Sequence, residues 1–181
     1  MCPIIASDKS RDFKPAPEGL HNAVVVDVID HGMQEGRFGR KHKVEIRWQI
    51  EEINPDNGKP FLAMRRYTLS LNSKATLRLH VEALRNSKKF TKKELAGFDL
   101  EELIGLGCQL QIVHNTTDDG RTFGNVQACV PLSKGMRRLK PVDYVRVQDR
   151  PENGTASVGA SNDVPDDDDD DDVTAQQSLD V

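Results

Sequence analysis

The most regular stretch of the chain is residues 43–51. Val44, Ile46, Trp48 and Ile50 share one parity, and Lys43, Glu45, Arg47, Gln49 and Glu51 share the other. A period of two predicts a strand with one face on a core, which gives Trp48 core parity, with stacking on a base as the alternative. Upstream, Leu20 to Ile29 is a β-branched run apolar on both faces, so it predicts a buried strand closed by Asp30-His31-Gly32. Gly32 to Lys41 reads as a loop, because Gly36 and Gly39 interrupt Arg37, Phe38, Arg40 and Lys41. Asn54-Pro55-Asp56-Asn57-Gly58 has turn composition, since Pro presets φ and Asn-Gly supplies positive φ.

A third strand is expected over about 61–71, without clear alternation, so the place of Tyr67 stays open. Ser73 stands where it would cap a helix over about 74–86, whose Leu77, Val81 and Leu84 recur at helical spacing. A further helical stretch over about 91–104 opens on Thr91 with Glu94 at the capping-box offset, and is bent near Gly97. Strands over about 108–115 and 122–130 flank Thr117-Asp118-Asp119-Gly120-Arg121, where Asp-Gly between β runs signals a hairpin. The order strand-strand-strand-helix-strand-strand predicts a mainly β fold. It suits an OB-like five-stranded barrel with a helical insertion between strands 3 and 4. Residues 1–18 read as an extended N-terminal arm, 19–150 as the domain and 151–181 as a disordered acidic tail.

Charge changes this picture more than composition does. Residues 151–181 hold ten acids (Glu152, Asp163, Asp166 to Asp172, Asp180) and no Lys or Arg. Of 29 acids, 19 therefore remain in residues 1–150 against all 25 bases, so the body is about +6 and the tail −10. Such a split points to a nucleic-acid-binding body with an acidic interaction tail, the alternative on charge alone being a soluble domain with a solvating tail. Cys2, Cys108 and Cys129 are few, odd in number and widely spaced, which suits a reducing cytoplasm. No apolar run reaches the roughly 20 residues of a membrane span, and residues 1–9 lack a signal-peptide pattern.

Single-strand binders combine cations that follow phosphates with aromatic rings that stack on bases. The first candidate set is Arg37, Phe38, Arg40, Lys41 and Lys43, with no acid between Glu35 and Glu45. Arg47 shares the polar face of its strand with Lys43, and Arg65 and Arg66 lie on the next strand, where an OB-fold presents its ligand platform. Arg121 and Phe123 sit at the last hairpin. Phe123 has the parity of the polar residues Asn125 and Gln127, which would aim it outward, unless parity breaks at the turn and aims it inward. A basic segment, Lys134 to Lys140, follows the last strand, and Lys88, Lys89, Lys92 and Lys93 read as a solvated face. No catalytic residue, cofactor or metal site is expected. The phosphate loop, HExxH and GxSxG motifs are absent, and the five histidines do not pair with cysteines at ligand spacing.

Phe13-Lys14-Pro15-Ala16-Pro17-Glu18-Gly19, Lys41-His42-Lys43-Val44-Glu45-Ile46-Arg47-Trp48, Glu94-Leu95-Ala96-Gly97-Phe98-Asp99-Leu100-Glu101 and Gly124-Asn125-Val126-Gln127 carry a likeness. Over residues 13–147 the chain resembles a family of phage and prophage proteins regarded as single-stranded-DNA-binding or recombination-associated. The resemblance implies non-catalytic binding and protection of single-stranded DNA in the host cytoplasm during replication and recombination. It also implies that residues 151–181 modulate binding or recruit replication or recombination proteins; oligomeric state stays open. Bacterial-type acidic tails often end in an aromatic residue, whereas this one ends Gln177-Ser178-Leu179-Asp180-Val181. Two other readings compete. Glu45-Ile46-Arg47 resembles the Glu-x-Lys strand of some metal-dependent nucleases, with Asp27 or Asp30 as partner. An inhibitor using its acidic tail as a nucleic-acid mimic is the other.

Overall fold

The computed structural model describes residues 14–36 and 39–151. Most of the expected N-terminal arm (1–13) and nearly all of the expected disordered tail (152–181) lie outside the described residues. Five strands, β1 (Gly19–Gly36), β2 (Gly39–Asn54), β3 (Lys59–Thr68), β4 (Gly107–Thr116) and β5 (Thr122–Pro131), form one antiparallel sheet in the order β3-β2-β1-β4-β5. Helices α1 (Thr76–Leu84) and α2 (Lys92–Leu95) and a 3-10 turn (Leu100–Leu103) lie between β3 and β4 in the chain. Among the described residues no helix is long and apolar enough to cross a membrane.

β1 is the central strand and serves two neighbours. Residues 19–24 pair with β4, and residues 23–36 pair with β2. The ladder to β2 slips at Val26 and again at His31. Each slip is a bulge, which bends the strand and re-aims a side chain. Gly32 (φ +65) supplies the left-handed residue after the second bulge. The expected loop over 32–41 is therefore corrected. Pairing continues from Gly32↔Lys43 to Gly36↔Gly39, because these glycines serve the bulge and the hairpin end rather than ending the strands.

The parity of β2 holds. Val44, Ile46, Trp48 and Ile50 are 0–3% exposed and join Val25, Leu110, Ile112 and Val126 in the core, where Leu77, Val81 and Leu84 of α1 pack onto them. Each large apolar side chain buried there stabilises the fold by roughly 1.5–3 kcal/mol. Tyr67 is also buried, its hydroxyl 2.8 Å from His80 Nδ1. Thr91 and Glu94 form the expected capping box. The expected Ser73 cap does not form, since α1 starts after Ala75 with no side-chain bond at its cap. On β4, His114 ties down the segment that leads into β1. Its backbone N–H donates to Glu18 Oε1 at 2.7 Å, and its ring Nε2 lies 2.7 Å from Ala16 O. Gly124 admits this crossing, because a Cβ there would stand 3.1 Å from Ala16 O.

Candidate nucleic-acid interface

The polar face of β2 is not an open platform. Lys43, Glu45 and Gln49 are 6, 2 and 5% exposed. The sequence expectation of a solvent-facing strand face is corrected here, and two different covers explain it.

The first cover is residues 141–150. Gln49 holds Val142 through both amide atoms: its Nε2 donates to Val142 O at 2.7 Å, and its Oε1 accepts from Val142 N at 2.8 Å. Asp27, 1% exposed, accepts from the Tyr144 hydroxyl (3.0 Å), Arg146 Nε (3.3 Å) and Val147 N–H (2.8 Å). Arg146 also reaches Glu101 at 2.6 Å. Arg47 lies beneath this strap: burial lowers its pKa, but Glu45, then Tyr144, outweigh burial and raise it.

The second cover is made of side chains. Glu45 accepts from Arg47 Nε at 2.6 Å and Arg66 Nε at 3.2 Å, with His31 Nε2 at 3.1 Å. Burial pushes the Glu45 carboxyl up, yet Arg47, then Arg66 and His31, hold it below the usual range. Above this cluster opens a cleft of about 240 Å³ lined by His31, Gln34, Glu35, Lys43 and Arg66. The bulge at His31 is what turns that side chain toward Glu45.

The expected site residues therefore separate. Lys43 and Arg66 meet at the cleft, and Arg40 (exposed) and Lys41 (half-buried) continue from it along the β1–β2 hairpin. Arg37 and Phe38 lie outside the described residues. Arg47 is on the same face but under the strap. Arg65 points away from its neighbour Arg66: it donates to the Val126 and Gln127 carbonyls of β5, and its guanidinium lies 5.6 Å from the Tyr67 ring. Arg121 is exposed and paired with Asp119 at 3.1 Å, and Phe123 is half-buried opposite Asn115. The two hairpin tips stand at opposite ends of β1, because β4 runs out beyond Gly19 while β2 begins beside Gly36. Sequence reasoning named Asp27 only as a possible metal-site partner and Gln49 only as a polar-face residue, and it missed Tyr144 and Arg146. An Asp inside a β-branched run was the one available signal, since a buried carboxylate requires partners. The chain matches no family model and no curated protein sequence.

Proposed function

We propose that the chain binds and protects single-stranded DNA without catalysis, in DNA replication and recombination of the phage type. The observation that carries this reading is the segregation of charge. Arg40, Lys41, Lys43 and Arg66 gather at one hairpin and its cleft, while ten acids are set apart after residue 150. Phosphates of a single strand would lie along these cations. The strand order, with β1 shared between β2 and β4 and Arg65 tying β3 to the β5 backbone, supports an OB-type barrel as the scaffold. The acidic residues after 150 would compete with DNA for the basic face or recruit replication and recombination proteins.

The nuclease reading is weaker on this geometry. Glu45 already spends both oxygens on Arg47, Arg66 and His31, and Asp27 spends both on Tyr144, Arg146 and backbone N–H groups. A metal ion would have to displace these bonds.

Fluorescence anisotropy with a labelled oligonucleotide tests the proposal. With roughly four phosphates engaged, log K falls against log salt with a slope of about −2.8, so fourfold more salt weakens binding roughly 50-fold. Affinity that is flat over that range, or Mg²⁺-dependent cleavage of the oligonucleotide, overturns it.

A further inference from the structure

Four cations that the proposed site leaves aside follow β5. Lys134, Arg137, Arg138 and Lys140 fall within seven residues, and no acid occurs from Gly120 to Val142. All four are exposed, and none is in an ion pair with another described residue. The segment contains neither helix nor strand, yet it is tied to the domain at both ends. Met136 N–H donates to Ser133 O at 3.1 Å across a turn in which Gly135 has φ +86. The Ser133 hydroxyl donates to Gln109 Oε1 at 3.4 Å. The Arg138 stem lies against Gly107, its Cγ 3.9 Å from where a Cβ would stand. Beyond Lys140, Gln49 clamps Val142 from both sides. Cations on a backbone already held in place need less ordering on binding than cations on a loose arm.

We propose that Lys134 to Lys140 is a second phosphate-binding ridge for single-stranded DNA, engaged by a strand that also occupies the cleft at Lys43 and Arg66. This rests on the function proposed above. The ridge lies beside Gly107, which pairs with Val24, and the cleft lies beside His31 and Gln34 of the same strand. At about 3.3 Å per residue, the two are on the order of 30 Å apart along β1. A strand that reaches both passes over the strap at residues 141–150. A short oligonucleotide fills one patch only, and a long one fills both.

The test compares the wild-type chain with the full-length variant Lys134→Gln, Arg137→Gln, Lys140→Gln. Arg138 is kept because its stem packs. Anisotropy is read with oligonucleotides of about 4 and about 16 nucleotides, the span of single OB-type sites. With three phosphate-binding cations neutralised, the variant's salt slope on the long oligonucleotide falls by about 2.1, so the wild-type advantage shrinks roughly 18-fold when salt rises fourfold. On the short oligonucleotide the slopes differ by less, because the cleft stays open to it in both proteins, and their thermal midpoints agree. Equal slopes on the long oligonucleotide, with the wild type binding, overturn the ridge alone. A wild type that binds neither length overturns the proposed function and the ridge with it. The acidic run Asp166 to Asp172 is the competing occupant of these cations. If the slope difference vanishes when all seven are changed to Asn in the full-length chain, the cations serve that run and the ridge proposal fails.

Discussion

The outer face of β1 and β2 has two halves built from the same materials. In each, a buried carboxylate collects an arginine and further donors. Asp27 takes Tyr144, Arg146 and the Val147 amide, and Glu45 takes Arg47, Arg66 and His31. They differ in where the donors come from. The partners of Asp27 arrive on a strap from the far end of the domain, which roofs the face. The partners of Glu45 are strand neighbours, which leave a cleft above them. A charged strand face can thus be spent on closing a domain or kept for a ligand, and the choice is set by what crosses over it.

The largest expected effect tests the roofed half. Asp27→Ala takes the acceptor from the Tyr144 hydroxyl and the Val147 N–H and leaves Arg146 with Glu101 alone, which should cost about 1–3 kcal/mol for each donor left without its acceptor, read as a lower urea midpoint. On the open half Arg66→Gln should cost clearly less, because that side chain is 40% exposed and Glu45 keeps Arg47 and His31. Equal costs would mean that the openness of the second half has no energetic meaning.

Acid unfolding sharpens the same contrast by separating the core from the cleft. Burial, then Arg65, pushes His80 down to about 4. Between pH 6.5 and 4 the unfolded imidazole gains a proton that the folded one refuses, so stability falls as pH drops through that window, by about 3 kcal/mol. Glu45 acts lower. Its folded pKa lies below 4.5, so its contribution is complete above 4.5 and is lost only as pH falls through the folded value. Denaturant midpoints against pH should show the upper window vanish in His80→Gln and persist in Glu45→Gln.

How far the two halves were legible in the sequence follows from range. Val44, Ile46, Trp48 and Ile50, the Asp-Gly turn and the Thr91–Glu94 cap are local patterns, and each is found in the structure. The burial of Gln49 and Asp27 on the opposite face was not legible, because their cover is distant. Gln49 and Val142 are 93 residues apart, and Asp27 and Val147 are 120 apart. No period reports such a contact. The glycines of the β1–β2 hairpin misled for the opposite reason: positive φ serves a bulge as well as a loop. Among the described residues of the expected site, only Lys43 and Arg66 with Arg40 and Lys41 are brought together. Neighbouring Arg65 and Arg66 part company because a strand sends successive side chains to opposite faces.

Smaller effects concern binding. Arg66→Gln should lower the salt slope for an oligonucleotide by about 0.7, the share of a single phosphate. Arg47→Gln, under the strap, should leave the slope unchanged and lower stability instead. A slope change in Arg47→Gln would mean that the strap lifts when DNA binds. The smallest effect is that of the acidic residues. Deleting everything after Arg150 should tighten binding about two- to threefold at low salt and less at higher salt, where screening shortens the reach of charge. Equal or weaker binding by the truncated chain would leave them a recruiting or solubilising role.

The strap also sets a schedule for synthesis. Asp27 leaves the ribosome long before Tyr144, Arg146 and Val147, its partners 117 to 120 residues later. At about 5–20 residues per second, Asp27 waits roughly 6–24 s and Gln49 roughly 5–19 s for their partners, open to water meanwhile. The strands can pair during the wait, but the domain cannot close until the strap has emerged, so a message cut short before codon 141 yields a sheet that lacks its roof.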